Sequence, residues 1–168
     1  MFIIESLQKR NDRSAFYCGT EALDVYLRHS AGQDIRRSIA SVFVAVRGQD
    51  PRVCGYYTIS TAGIPYVSLD DDTQKNMPRY TSLPAIRLGR LAVDLSCQGQ
   101  RLGEFMLLNA MYRAVQIPIA WQFFLVDAKE NAVGFYSKFG FMRYRDNENY
   151  LYLSRKDVMA FCDYSPAL

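Results

Sequence analysis

The chain has 168 residues, 49% hydrophobic and 22% charged, which supports a sizeable buried core and excludes a disordered segment. A formal net charge of +3 does not by itself indicate nucleic-acid binding. Arg or Asp interrupts every apolar run short of membrane-spanning length, and Met1-Phe-Ile-Ile-Glu-Ser-Leu7 does not read as a signal peptide, so a cytoplasmic protein without membrane contact is expected.

Phe2–Glu5 reads as an edge strand, and Gly19-Thr20 as a stop followed by a helix that Thr20 caps. Leu23, Tyr26 and Leu27 share one face of that helix, with Ile35 continuing it and Arg28, Arg36 and Arg37 elsewhere. Ser41–Val46 and Val53–Ser60 are strands joined through Arg47-Gly-Gln-Asp-Pro51, which predicts an antiparallel hairpin. Residues 65–84 hold three prolines and the run Asp70-Asp71-Asp72, a long loop with at most a short helix. Ala85–Val93 is the central strand. Leu102, Phe105, Met106, Leu108, Tyr112 and Val115 then mark a well-buried helix that Pro118 ends. Gln122–Asp127 is a strand, Asn131–Lys138 a short helix, Tyr150–Ser154 a closing strand, and a last helix or tail follows. This order predicts an α/β (α+β) fold, a single domain over residues 1–168 with a mixed, mostly antiparallel sheet flanked by helices.

The four cysteines, Cys18, Cys54, Cys97 and Cys162, are far apart and His29 is the one histidine. No metal site and reduced thiols are expected. A Ser-His-Asp hydrolase is excluded on the same grounds, since no GxSxG elbow is present. Tyr56 and Tyr57 are read as exposed aromatics of an interface.

The densest chemistry lies in Leu91-Ala-Val-Asp-Leu-Ser-Cys-Gln98-Gly99-Gln100-Arg101-Leu102-Gly103. An apolar strand runs into a Gln/Gly loop that opens a helix, where unpaired N–H groups and the helix dipole suit a pyrophosphate. A plain strand–helix connection accounts for the loop equally well. About thirty residues on, Asn131-Ala-Val-Gly-Phe-Tyr136-Ser-Lys-Phe-Gly140-Phe141 adds a polar and aromatic element, in which Tyr136 alone reads as a core aromatic.

Together these stretches resemble the acetyl-coenzyme A site of the GNAT acetyltransferases, whose loop pattern is (Gln/Arg)-x-x-Gly-x-(Gly/Ala). Gln98 and Gly103 match it, while Arg101 stands where a glycine is usual. Arg101 is taken as compatible with ordinary helical backbone angles. Either its guanidinium adds a phosphate contact, or its bulk hinders close backbone approach; intact cofactor binding is the expectation. The resemblance implies acetyl-CoA as co-substrate, held by Leu91, Ala92, Val93, Gln98, Gly99, Gln100, Arg101, Leu102, Gly103 and Asn131. It also implies that Tyr136 is the general acid for the leaving thiolate, whose conjugate acid titrates at about 8.5.

A narrower resemblance rests on Phe16-Tyr-Cys-Gly-Thr-Glu-Ala-Leu-Asp-Val-Tyr-Leu27, Ser30–Arg37, Gly55-Tyr-Tyr-Thr-Ile-Ser60 and Pro84-Ala-Ile-Arg-Leu-Gly-Arg-Leu-Ala-Val-Asp94. In order and spacing these are similar to the GNAT toxins of type II toxin–antitoxin modules, the TacT/AtaT group. Membership implies acetylation of the α-amine of aminoacyl-tRNA and a block of translation. It further implies a homodimer, a ribbon-helix-helix antitoxin, and operator DNA engaged only through the antitoxin complex. An α-amine titrates at about 7.7–8.0, against about 10.4 for lysine, so a dedicated base is dispensable. This agrees with the weak base candidates Asp94, Asp127, Glu104 and Glu130. Arg36, Arg37, Arg79, Arg87 and Arg90 are the candidates for tRNA phosphate contacts, with Arg90 favoured because it adjoins the cofactor strand. The alternatives are a GNAT enzyme acting on a protein N-terminus or small amine, and a non-catalytic CoA- or antitoxin-binding module.

Overall fold

The computed structural model describes residues 1–129 and 131–164, with no side chain described for Tyr164. The chain forms β1 (Phe2–Ser6), α1 (Glu21–Val25), a π-helical turn (Tyr26–Ser30), α2 (Ala31–Arg36), β2 (Ser41–Arg47) and β3 (Gly55–Pro65). After them come α3 (Asp71–Lys75), β4 (Ser82–Val93), α4 (Leu102–Gln116), β5 (Phe123–Asp127), α5 (Val133–Ser137), β6 (Met142–Arg143), β7 (Tyr150–Ser154) and α6 (Arg155–Tyr164). The seven strands make one sheet in the order β1-β2-β3-β4-β5-β7-β6, with β4 at its centre. Pairing is mostly antiparallel; β4 and β5 run parallel. Two compact units result, Met1–Ser60 with Arg90–Ala110, and Thr61–Gly89 with Met111 onward.

In the first unit the β2–β3 hairpin pairs Ser41↔Ile59 through Ala45↔Gly55. Val42, Val44 and Val46 alternate onto one face, as a strand requires, and join Phe16, Tyr26, Leu27, Ala31, Val53, Tyr56 and Ala92 in a core. Gly55 is fixed by space. A Cβ there would lie 2.8 Å from the Met106 methyl and 3.1 Å from the Ala92 carbonyl oxygen, so only glycine lets these neighbours close in.

In the second unit β4 and β5 pair Ala85↔Phe123 through Leu88↔Val126, and β7 adds antiparallel to β5. Ile64, Leu69, Leu83, Ala85, Phe123, Leu125 and Tyr152 form its core. The acidic run is structural at its first member. Asp70 caps α3 by accepting from the Asp72 and Thr73 amides, each at 3.0 Å, and the Tyr152 hydroxyl donates to the same carboxylate.

Several expectations are corrected. Tyr56 and Tyr57 are fully buried, Tyr56 donating to the Leu23 carbonyl and Tyr57 to the Asn109 side chain, so neither is an exposed interface residue. Thr20 occupies the N-cap of α1 without a side-chain cap bond. Ile35, expected to continue the apolar face, is exposed. On α4 the fully buried stripe is Leu102, Met106, Leu107, Ala110, Met111 and Ala114; Phe105, Leu108 and Val115 are half-buried and Tyr112 is exposed. The two-residue β6 was absent from the expected elements, and β3 and β4 extend further into the 65–84 segment.

Burial alone would raise the Asp70 carboxyl, but hydrogen bonds from Thr73, Tyr152 and the Thr73 and Asp72 amides outweigh it and bring it down to about 2. A carboxyl that ionises more readily folded than unfolded adds stability above its ordinary value of about 3.9, and that stability is lost as pH falls through the folded value. Asp70→Asn should therefore lower stability at neutral pH and flatten the decline between about pH 4 and pH 2. Urea unfolding over a pH series measures this; an unchanged acid limb would show that Asp70 contributes nothing to it.

Candidate functional site

The first unit carries the loop between β4 and α4, and Asp94 organises it. Its carboxylate, 3% exposed as a residue, accepts from the Ser96 amide and hydroxyl and from the Tyr17 amide at 3.0 Å, and lies 3.5 Å from the Arg52 guanidinium. Burial would raise this carboxyl, yet the Ser96 and Tyr17 bonds and Arg52 hold it below its ordinary value. With its oxygens engaged, Asp94 is a structural anchor and not a free base.

Beyond the short 3-10 turn Leu95–Cys97, the chain enters Gln98–Gly103. Gly99 has φ +75° and Arg101 φ +59°, two left-handed residues flanking Gln100. The backbone N–H groups of Gly99, Gln100 and Arg101 find no acceptor among the described residues. Free amides beside left-handed backbone, at the start of a 15-residue helix, are the groups a pyrophosphate engages. The residues present therefore fit the phosphate portion of CoA. Gln98 and Gln100 brace this loop: Gln98 donates to the Val93 carbonyl at 3.1 Å, and Gln100 accepts from Arg47 at 2.7 Å. Arg101 corrects an expectation. Its backbone is left-handed instead of ordinarily helical, and its guanidinium pairs with Glu104 at 2.7 Å.

Leu91, Ala92 and Val93 close β4, with Ala92 buried and the other two half-buried. Arg90 precedes them, its guanidinium carbon 3.6 Å from the centroid of the Tyr26 ring. Arg36 and Arg37 are exposed at the end of α2.

The second unit holds the remaining candidates. Tyr136 lies on α5, 5% exposed, its ring packed edge-on against Phe135 and Phe141. Burial, with a lesser effect from Asp127, raises its phenol above the ordinary value. Asn131 is exposed just ahead of α5; Arg79 is exposed in the loop before β4, and half-buried Arg87 stands within electrostatic reach of Tyr144. Among the earlier base candidates Asp127 is exposed, Glu104 is tied to Arg101, and Glu130 lies outside the described residues. No group of three or more metal-ligating side chains occurs among the described residues.

Residues 73–150 match the profile of the acetyltransferase (GNAT) domain family. A tRNA-acetylating toxin of Mycobacterium tuberculosis is 33% identical over 153 residues, covering 89% of this chain and 90% of the relative. The chain belongs to the GNAT acetyltransferase family. Solved GNAT-fold structures agree. AtaT complexed with acetyl-methionyl-tRNAfMet is 29% identical with a TM-score of 0.87, covering 96% of this chain and 99% of that one. A tyrosine-to-phenylalanine mutant of the AtaT toxin, bound to the C-terminus of the antitoxin AtaR and acetyl-CoA, is 27% identical with a TM-score of 0.79, covering 95% and 97%.

The Asp94 anchor was visible in the sequence only as a residue at a strand end. The Arg90–Tyr26 stack was not visible at all, since nothing in the sequence pairs residues 64 positions apart. The left-handed backbone explains why the GNAT pattern favours glycine at the place of Arg101. A non-glycine residue held left-handed costs about 1–3 kcal/mol, whereas glycine in its place loses about 0.4–1 kcal/mol through the unfolded chain. Arg101→Gly should leave stability unchanged or slightly raised, and the β-branched Arg101→Val should lose about 1–2 kcal/mol. Urea titration of both variants checks this; equal stability of the two would remove the conformational argument.

Proposed function

We propose that this chain transfers the acetyl group of acetyl-CoA to the α-amine of an aminoacyl-tRNA, blocking translation as a toxin. The observation that carries the reading is the triad of free amides at Gly99, Gln100 and Arg101 on left-handed backbone at the mouth of α4, in a GNAT chain. Its likeness to the tRNA-acetylating toxin supports the choice of substrate, as does its likeness to AtaT complexed with acetyl-methionyl-tRNAfMet. Residues 1–168 act here as a single GNAT domain.

In this reading the amides of Gln98–Gly103 receive the pyrophosphate, Leu91, Ala92 and Val93 offer strand backbone to the pantetheine arm, and Asn131 contacts the cofactor further along. Arg36, Arg37, Arg79, Arg87 and Arg90 supply the phosphate contacts for tRNA. Acetyl-CoA supplies a thioester carbonyl activated toward amines. The neutral α-amine forms the new C–N bond and the C–S bond breaks; the Tyr136 hydroxyl donates a hydrogen bond to the departing sulfur, which leaves as thiolate and takes its proton from solvent, while the amine's surplus proton passes to solvent. The raised phenol holds its proton tightly, so Tyr136 acts as a hydrogen-bond donor to developing charge at sulfur and not as a proton source.

The partners follow the same reading: a homodimer neutralised by a ribbon-helix-helix antitoxin, with operator DNA engaged only through their complex, in the cytoplasm. The AtaT mutant bound to the AtaR C-terminus supports an antitoxin partner. No helix of the described residues is long and apolar enough to cross a membrane.

Incubation with labelled acetyl-CoA and total charged tRNA should label a defined set of aminoacyl-tRNAs, identified by mass. Tyr136→Phe should retain the fold and lose turnover by about 10²–10⁴-fold. Label insensitive to ribonuclease would instead favour a protein or small amine, and an unchanged rate in the variant would remove Tyr136 from the mechanism. With no protein base required, kcat/KM should rise through the substrate amine's own titration, about pH 7.7–8.0 or below, and level off above it. A profile displaced by mutation of Asp127 would argue for a protein base.

A further inference from the structure

We propose that Tyr26 and Asp34 are positioning residues, holding the Arg90 guanidinium as a receptor for one phosphate of the charged-tRNA substrate. The inference rests on the reading above and adds two residues to it.

Arg90 is half-buried, and its guanidinium carbon lies over the Tyr26 ring, 3.6 Å from the centroid. No hydrogen bond or ion pair engages its nitrogens among the described residues, yet none of those nitrogens is sealed from solvent. A guanidinium whose face is covered and whose edge is free offers its planar fork of donors in a set direction, which suits a phosphate. Tyr26 is itself held on two sides. Its ring stacks on fully buried Tyr56 at 6.1 Å and 20°, and its hydroxyl donates to the Asp34 carboxylate at 2.9 Å. Burial and Asp34 push the Tyr26 phenol up to about 12, so it remains a proton donor to Asp34 at neutral pH.

The helix is built to allow this. Residues eight apart lie roughly 80° apart around a regular α-helix of 3.6 residues per turn. Here the Ala31 amide bonds the Tyr26 carbonyl, a π turn that inserts one extra residue and swings Asp34 back over Tyr26. The departure from regular helix begins at the residue that carries the stack. Asp34 accepts from the phenol and not from the guanidinium, so it holds the ring without an ion pair to occupy the Arg90 edge.

The test is a double-mutant cycle on purified full-length protein, using charged tRNA as substrate. Arg90→Lys, which keeps the charge and loses the planar stack, and Tyr26→Leu should each raise KM for charged tRNA about 3- to 30-fold. Both should leave kcat and the KM for acetyl-CoA within about twofold, and the double variant should be no worse than the worse single one. Multiplying effects, or equal losses toward both substrates, would overturn the proposal. Because Tyr26 is buried, thermal melting accompanies each variant. If Tyr26→Leu does not fold, Tyr26→Phe and Asp34→Leu carry the test, since each removes the phenol–carboxylate bond while keeping a side chain of similar size. They should raise the same KM about 2- to 5-fold, singly or combined; no rise in either overturns the proposal. Wild-type protein that labels no charged tRNA would sink the functional reading itself, a result seen before any variant is compared.

Discussion

The buried carboxylate of Asp94 sets the course of the chain where β4 gives way to α4. It draws in the Ser96 amide and hydroxyl, the Tyr17 amide and the Arg52 guanidinium, so one side chain fixes both the turn and the segment lying over it. A buried charge is tolerated only when its lone pairs are used, and here they are used on Ser96 of the loop and on Tyr17 and Arg52 outside it. The amides just beyond are left free, which is what an anion receptor requires. The strain at Arg101 belongs to the same design: the backbone keeps the left-handed geometry even though the residue is not glycine.

A second set of constraints acts through aromatic rings. Phe16, Tyr26 and Tyr56 pack together in the first core, and the two tyrosine hydroxyls find partners in Leu23 and Asp34. These bonds make the rings rigid supports and not merely apolar filling. Arg90 shares in that rigidity, since its guanidinium packs on the Tyr26 ring. In the second unit Tyr136 sits among Phe135 and Phe141 in apolar surroundings, which keep its phenol protonated.

Much of the fold was legible because local rules and tertiary packing agree. The valines of β2 alternate, the turn at Arg47–Pro51 has turn chemistry, and the Gln/Gly loop opens a helix as its residues suggest. The failures have physical causes. Tyr56 and Tyr57 were misread because an aromatic ring with a hydroxyl suits either an interface or a core with a buried acceptor, and only the fold supplied Leu23 and Asn109. On α4 the expected apolar positions left out Leu107, Ala110, Met111 and Ala114, all fully buried, and included Tyr112, which is exposed.

The sequence by itself determined the succession of elements, the central strand and its loop, and membership in the acetyltransferase fold, since these depend on patterns within a dozen or so neighbouring residues. It also placed Tyr136 and Gln98–Gly103 in view, through spacing that survives without knowledge of contacts. Only the tertiary structure decided that Asp94 is an anchor, that Arg101 is left-handed, and that Arg90 lies on Tyr26. Each of these depends on burial and on partners distant along the chain, and a carboxylate, a backbone angle or a guanidinium takes its role from what surrounds it in space.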